Sequence, residues 1–226
     1  MHIVALIPAR SGSKGIEHKN IKLYKNKPLL VHSIEIAFQS QYIDDVYVST
    51  DSLEYKEISK QYGAQVLIRP KQISDDLSSD MEVFEHFLEN IDTIPDMIVH
   101  LRPTYPNRTK ELLDNTIQKF IENYDKYDSL RTVIKIDKTP YKMYTIEKDH
   151  LRPIIQNHPF LIEPYNQPRQ YFPDTYLHNG CIDIVKTSCI MENHLLSGTN
   201  ILPFIMDSHE NNDIDNIHDF ILSEQK

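Results

Sequence analysis

A chain of 226 residues, 40% hydrophobic and 25% charged, suits one α/β domain with a real core and argues against disorder. The net charge of -9 argues against general nucleic-acid binding, and no apolar run approaches the ~20 residues of a membrane span. The chain enters a strand at once, with no cationic start and no long apolar segment, so no signal peptide is expected. Two cysteines, Cys181 and Cys189, are expected to be reduced and structural, which points to the cytoplasm. The histidines form no recognisable metal signature, and there is no internal repeat.

In chain order, residues 2–8 predict a short apolar strand. Pro28 opens a predicted helix through about Ser40, because its missing N–H costs nothing in a first turn. Residues 46–50 predict a β-branched strand ending at Asp51, which reads as a ligand or as a turn residue. A helix over 52–62 ends at Gly63, a suitable C′ residue. Residues 64–69 predict a third strand stopped by Pro70. Ser79 with Glu82 forms a capping-box pattern before a helix to about Asn90. Residues 96–102 predict a strand stopped by proline, 109–123 a helix and 131–137 a strand. Such alternation predicts a largely parallel sheet with helices on both faces.

The alternation breaks at 138–175, where prolines and tyrosines are dense, among them Pro140, Tyr141, Tyr144, Pro164, Tyr165, Pro168, Tyr171 and Pro173. A segment this long is read as a short hairpin or extended arm that serves dimerisation and closes a substrate site, or as a surface insertion. Strands follow over 181–185 and 201–206, with a short helix near 187–191 between them. A last helix starts at about Asn216.

The most informative stretch lies between the first strand and the next apolar run: Arg10-Ser11-Gly12-Ser13-Lys14-Gly15, then Lys19-Asn20. It holds two of the chain's five glycines. Residues 1–27 carry six basic side chains and one acid, within an otherwise acidic protein. Small residues let backbone N–H groups approach an anion, Arg and Lys supply countercharge, and a loop after a strand is where open α/β sheets bind ligands. The loop therefore reads as a phosphate site for a nucleoside triphosphate. The P-loop and dinucleotide fingerprints are both absent, which argues against a P-loop ATPase and an NAD enzyme. Near the other end, Asp213-Ile214-Asp215 places two carboxylates on one side of an extended segment. Beside a triphosphate they suit Mg²⁺; otherwise Asp215 is the cap of the last helix and Asp213 is solvated.

Ile7-Pro8-Ala9-Arg10-Ser11-Gly12-Ser13-Lys14-Gly15 with Lys19-Asn20 resembles the N-terminal signature of the CMP-sialic acid synthetases, the acylneuraminate cytidylyltransferases, which are relatives of the CMP-Kdo synthetases. Ser49-Thr50-Asp51, Arg69-Pro70 with Ser78-Ser79, Leu101-Arg102-Pro103-Thr104-Tyr105-Pro106-Asn107-Arg108, Pro168-Arg169-Gln170, Asn179-Gly180 and Asp213-Ile214-Asp215 resemble later motifs in order. The resemblance covers nearly the whole chain. It implies a single Rossmann-like nucleotidyltransferase domain over 1–226, a three-layer sandwich on a mostly parallel sheet, with 138–175 crossing to the partner of a homodimer. It implies an enzyme joining CTP to a sialic-acid-like keto sugar acid, with direct attack of the anomeric hydroxyl on the α-phosphate and release of pyrophosphate, for surface glycan synthesis. By the same resemblance Ala9, Arg10, Ser13, Lys14, Asn20, Arg69 and Ser79 bind nucleotide, and Arg102, Thr104, Arg169, Gln170 and Asn179 face the sugar. Asp213 and Asp215 hold Mg²⁺, and Arg10, Lys14, Lys19 and Asp215 carry catalysis. The base for the anomeric proton is left open among a metal-bound water or hydroxide, Asp213 and Asp215. Two departures bear on the sugar: Arg102 stands where the family usually has Gln, and Leu177-His178 where several members have Arg-Pro. The acceptor is thus left among sialic, legionaminic- or pseudaminic-type acids, Kdo and a phosphorylated acceptor.

Overall fold

The computed structural model describes residues 1–13, 15–207 and 212–225. From β1 (Ile3–Pro8) the chain passes through the basic loop into a small ribbon of β2 (Leu23–Tyr24) and β3 (Lys27–Pro28). It then alternates through α1 (Leu29–Gln39), β4 (Asp45–Thr50), α2 (Leu53–Gln61), β5 (Gln65–Ile68), α3 (Asp80–Glu89), β6 (Met97–His100), α4 (Lys110–Glu122) and β7 (Ser129–Ile136). After a hairpin of β8 (Tyr144–Glu147) and β9 (His150–Pro153) come β10 (Thr175–Lys186), α5 (Thr187–Asn193), β11 (Ile201–Met206) and α6 (Ile217–Glu224).

Seven strands form one sheet in the order β11-β7-β10-β6-β1-β4-β5, and β10 alone runs antiparallel to its neighbours. The period of two in β1 builds the layers. Ile3, Ala5 and Ile7 face one core, shared with Leu30 and Ile34 of α1 and Ile117 and Phe120 of α4. Val4 and Leu6 face the other, shared with Phe84 and Phe87 of α3 and Ile190 of α5. With both faces covered, β1 can be continuously apolar and β6 apolar up to His100, as buried parallel strands are. A third, smaller cluster of Ile16, Tyr24, Leu29, Ile214 and Phe220 docks α6 against the ribbon. The Tyr24 hydroxyl closes it by donating to Ser223 O at 2.6 Å. Among the described residues no helix is long and apolar enough to cross a membrane.

Local signals set most boundaries. Ser79 and Glu82 do make the capping box, and Gly63 follows the cap of α2 at φ +88°. Pro28 is a correction: it is the residue before α1, held extended at ψ 137° by its pairing with Leu23, so the helix begins at Leu29. The strand expected at 181–185 is longer and begins at Thr175. Its pairing with β7 shifts between His178 and Asp183, because Asn179–Ile182 bulge out opposite Thr132. The Thr132 hydroxyl fills the bulge, donating to Asn179 Oδ1 at 2.8 Å and accepting the Ile182 N–H at 3.0 Å. The arm between β7 and β10 carries the β8–β9 hairpin and three short 3-10 turns, with Tyr141 stacked on Phe172 at 4.4 Å. Cys181 and Cys189 are buried thiols.

Candidate active site

The C-terminal ends of β1, β5 and β6 open onto a cleft of about 320 Å³, the place where such sheets bind ligands. Arg10, Ser13, Lys19, Asn20, Arg69, Arg102 and Thr104 all line it. Seven of the residues expected at a site are therefore brought to one wall-to-wall space from segments up to 94 positions apart.

The basic loop is built by its neighbours. Ala9 is fully buried and its N–H bonds Ser49 O at 2.8 Å, so Ala9 extends the β1–β4 pairing instead of facing the cleft. Asp51 resolves as the loop's anchor: it accepts the Ser11 N–H at 2.8 Å and the Ser11 hydroxyl at 2.7 Å. Burial pushes the Asp51 carboxyl up, but the two Ser11 hydrogen bonds, its own backbone N–H and the Arg69 charge together outweigh it and hold the group below the usual carboxylate range. Asn20 donates to Arg10 O at 2.9 Å and fixes the turn from inside. Among the described residues no atom stands within 4 Å of the position a Cβ would take at Gly12, so they leave the loop there open to a ligand. Lys14 lies outside the described residues.

Arg10 reaches across the cleft to Asp75 O at 2.7 Å and the Asp76 carboxylate at 2.9 Å. Arg69 is buried beneath, its Nε without a hydrogen-bond partner. Burial draws its pKa down against the opposing pull of Asp51. A buried guanidinium nitrogen left unmatched costs free energy until a ligand acceptor meets it.

The aspartate segment meets this loop directly. Lys19 Nζ donates to Ile214 O at 2.7 Å. Burial lowers the Lys19 pKa, while Asp215 and Asp213 pull it back up. Thr104 clamps the segment from the other side: its carbonyl accepts the Ile214 N–H at 2.9 Å and its hydroxyl bonds the Asp213 carboxylate. Thr104 thus holds Asp213 as well as lining the cleft. Ile214 is buried in the third cluster, which turns Asp213 and Asp215 the other way, as the alternation predicts. Asp215 is not the helix cap; Asn216 is, accepting from the His218 and Asp219 N–H groups at 2.9 and 3.1 Å. Nor is Asp213 solvated, since its Oδ1 is buried with no hydrogen-bond partner. Burial first, and Asp215 next among the raising influences, push its carboxyl above the ordinary range.

Gly15 makes that meeting possible. A Cβ there would stand 2.5 Å from Asp215 O, a backbone atom that cannot step aside. Gly15→Ala is expected to part the loop from the aspartate segment and cut turnover about tenfold or more, a misplacement of an ångström being enough. The check is steady-state kinetics beside a thermal melt. Unchanged kcat would show that the two segments need not touch.

Several expected contacts resolve differently. The Ser79 hydroxyl is committed to the α3 cap with Glu82, and Ser78 and Asp80 face the cleft in its place. Asn179 is buried, its Oδ1 held by Thr132 and the Cys181 N–H, its Nδ2 near Tyr105 Oη and Met206 Sδ, so it supports the bulge instead of facing a sugar. Arg169 pairs with Asp137 at 2.8 Å on the exposed arm, and Gln170 beside it is exposed. Arg102 is bound between two carboxylates, Asp183 at 2.6 Å and Asp80 at 3.1 Å. The sequence reading missed Asp80, Asp183 and His100. His100 sits in the cleft wall, its Nε2 without a partner; burial, with Arg102 adding to it, pushes its pKa down to about 3, so it is a neutral imidazole. The available signal was a polar side chain in an apolar run, His100 after Met97-Ile98-Val99 and Asp183 within 181–185; Asp80 opens a helix and carries no such signal.

The cytidylyltransferase family profile matches residues 4–158. This chain belongs to the cytidylyltransferase family. It is 33% identical to the N-acylneuraminate cytidylyltransferase of Escherichia coli O18:K1:H7 over 221 residues, 98% of this chain and 51% of that protein. It is 30% identical to the CMP-N,N'-diacetyllegionaminic acid synthase of Legionella pneumophila over 242 residues, all of this chain and 96% of that protein. With the pseudaminic acid cytidylyltransferase of Campylobacter jejuni serotype O:2 the identity is 37% over 131 residues, 56% of each chain. The chain thus spans about half the length of the Escherichia coli relative. The solved structure of a CMP:2-keto-3-deoxy-manno-octonic acid synthetase complexed with CTP superposes with a TM-score of 0.74 at 16% identity, covering 100% of this chain and 98% of that one. That likeness establishes the α/β nucleotidyltransferase fold.

Proposed function

We propose that this cytidylyltransferase joins CTP to a nonulosonic keto sugar acid, giving the CMP-sugar and pyrophosphate. The observation that carries the reading is the convergence of Arg10, Lys19 and Thr104 on one cleft at the strand ends, with the Asp213–Asp215 segment joined to its wall through Ile214, whose carbonyl accepts Lys19 Nζ and whose N–H bonds Thr104 O. The sialic, legionaminic and pseudaminic names of the relatives support the acceptor class. In the reaction the anomeric oxygen of the acceptor forms a bond to the α-phosphorus, the bond from that phosphorus to the bridging oxygen breaks, and pyrophosphate leaves. Arg10 exchanges its Asp76 partner for phosphate oxygens. Lys19 supplies a preoriented positive charge where negative charge gathers on the leaving group. Arg69, with an unmatched Nε, serves the nucleotide.

The residues also fit Mg²⁺. Asp213 presents a buried carboxylate oxygen with no partner, and Asp215 adds a second hard oxygen ligand. Among the described residues no third His, Cys, Asp or Glu joins them, so phosphate and water oxygens complete the shell. When bound, the ion supplies charge neutralisation at the α-phosphate and pyrophosphate.

The arm is read as the contact with a second copy. Phe160 and Ile162 are 91% and 86% exposed on it, beside exposed Ile146 and Leu151, and apolar side chains in such number suit burial against a partner. Arg169 and Gln170 then reach an acceptor across that interface. Light scattering of the intact protein tests this; a monomer at micromolar concentration rejects it.

The deciding experiment is pyrophosphate release with Mg²⁺ and CTP across sialic, legionaminic, pseudaminic and Kdo acids, with sugar phosphates as contrast. Release with a nine-carbon keto acid and CTP alone is expected. Release with a sugar phosphate and no keto acid would overturn the reading.

A further inference from the structure

Arg102 is held from several sides in the cleft wall. Its Nη1 donates to Asp183 Oδ2 at 2.6 Å and to Gly180 O at 3.3 Å, and its Nη2 donates to Asp80 Oδ2 at 3.1 Å. The far oxygen of Asp183 accepts from His178 Nε2 at 2.7 Å. The main chain of residue 102 is fixed as well. Its carbonyl accepts Arg108 Nη2 at 2.6 Å, and Arg108 is itself buried, bonding Tyr105 O and Cys181 O at 2.7 and 2.6 Å. Gly180 completes the fit: at φ +67° it carries no Cβ, and one placed there would stand 3.3 Å from Arg102 Nη1.

Both terminal nitrogens of the Arg102 guanidinium are already taken by carboxylates, with Arg69, Arg108 and Arg131 the other cations near the group. An incoming carboxylate would have to displace Asp183 from a short charge-assisted bond, or enter as a third anion. Neither suits a receptor for an acidic substrate. The two partners come from different parts of the fold. Asp80 opens α3, one residue past the Ser79 cap and beside the Asp75–Ser78 turn that Arg10 touches. Asp183 closes the β10 bulge. We infer that Arg102 is a positioning residue that ties the start of α3 to the β10 bulge across the cleft, and that the acceptor's carboxylate is received elsewhere.

The kinetic part of the test rests on the proposed acceptor class; the rest does not. Arg102→Gln, Arg102→Lys, Asp80→Asn and the Asp80→Asn/Arg102→Gln double variant are compared by amide hydrogen exchange, direct CTP titration with Mg²⁺, and turnover with the keto acid that the parent accepts. Arg102→Gln is expected to speed exchange in 74–82 and 177–183 about tenfold, with the rest of the sheet protected, to weaken CTP, and to lower kcat with acceptor KM held within about twofold. Arg102→Lys should not rescue it, because a single ammonium cannot span both carboxylates. The double variant should be no worse than Arg102→Gln, since both remove one tie. An acceptor KM raised more than tenfold, with exchange, CTP affinity and kcat unchanged, would make Arg102 the anion receptor and overturn the inference. Exchange raised throughout the sheet in Arg102→Gln and in Asp80→Asn alike would reduce the group to a fold element and also overturn it. If the parent turns over no keto acid, the functional reading fails, while exchange and CTP titration still judge Arg102.

Discussion

Lys19→Ala should lower kcat about a hundred- to a thousandfold while the melting temperature stays near that of the parent. The side chain is half-buried, hydrogen-bonded to Ile214 O, and set among Arg10, Asp213 and Asp215. Burial lowers its pKa, so water screens its charge poorly and the charge acts strongly at short range. A group held this way before reaction needs no reorganisation when pyrophosphate forms, which is what gives such donors their large effect on rate. The competing role is a strap that joins the basic loop to the aspartate segment. A strap would be worth about 1–3 kcal/mol of stability as a hydrogen bond from a charged donor, and its loss would lower the melt while kcat suffered less. Steady-state kinetics beside a thermal melt separate the two: a large drop in melting temperature with kcat kept within about tenfold rejects the catalytic role.

Asp213→Asn should move stability and activity in opposite directions. The parent holds a carboxylate oxygen buried without a partner, next to a second carboxylate, and both burial and that neighbour raise its pKa. A folded pKa above the ordinary carboxylate value means that the ionised side chain opposes folding. That penalty is absent below the ordinary carboxylate value and grows as pH rises through the raised folded value. Near neutral pH and without Mg²⁺, Asn should therefore melt at a temperature equal to or above the parent's. Mg²⁺ should stabilise the parent by mass action and the variant far less. Turnover should fall about a hundredfold or more, with the Mg²⁺ requirement shifted to higher concentration. Asp215→Ala should share the activity loss with little effect on the melt, because Asp215 is exposed. Parent-like Mg²⁺ dependence in both variants would remove the pair from metal binding.

Much of the layering was legible because it depends on neighbours along the chain. The capping box of Ser79 and Glu82, the β-branched run before Asp51 and the stop at Gly63 are signals a few residues long, and each matches an element boundary. Pro28 misled by one residue because the β2–β3 pairing, a contact outside the helix, decided its conformation. The β10 bulge had one local sign, Asn179-Gly180 with the glycine at φ +67°, but the Thr132 hydroxyl that fills it comes from a neighbouring strand and could not be read from 175–186.

The sequence by itself determined the alternation of strands and helices, the basic loop after the first strand and the aspartate pair before the last helix. Each of those is written in residue type and short-range period. Only the tertiary structure decided what the polar side chains do. Thr104 holds Asp213, Asn179 fills a bulge, and Arg102 binds Asp183 from 81 positions away. A hydrogen bond or ion pair is satisfied by whichever partner lies within about 3 Å, and that distance is set by the folded core, not by spacing along the chain.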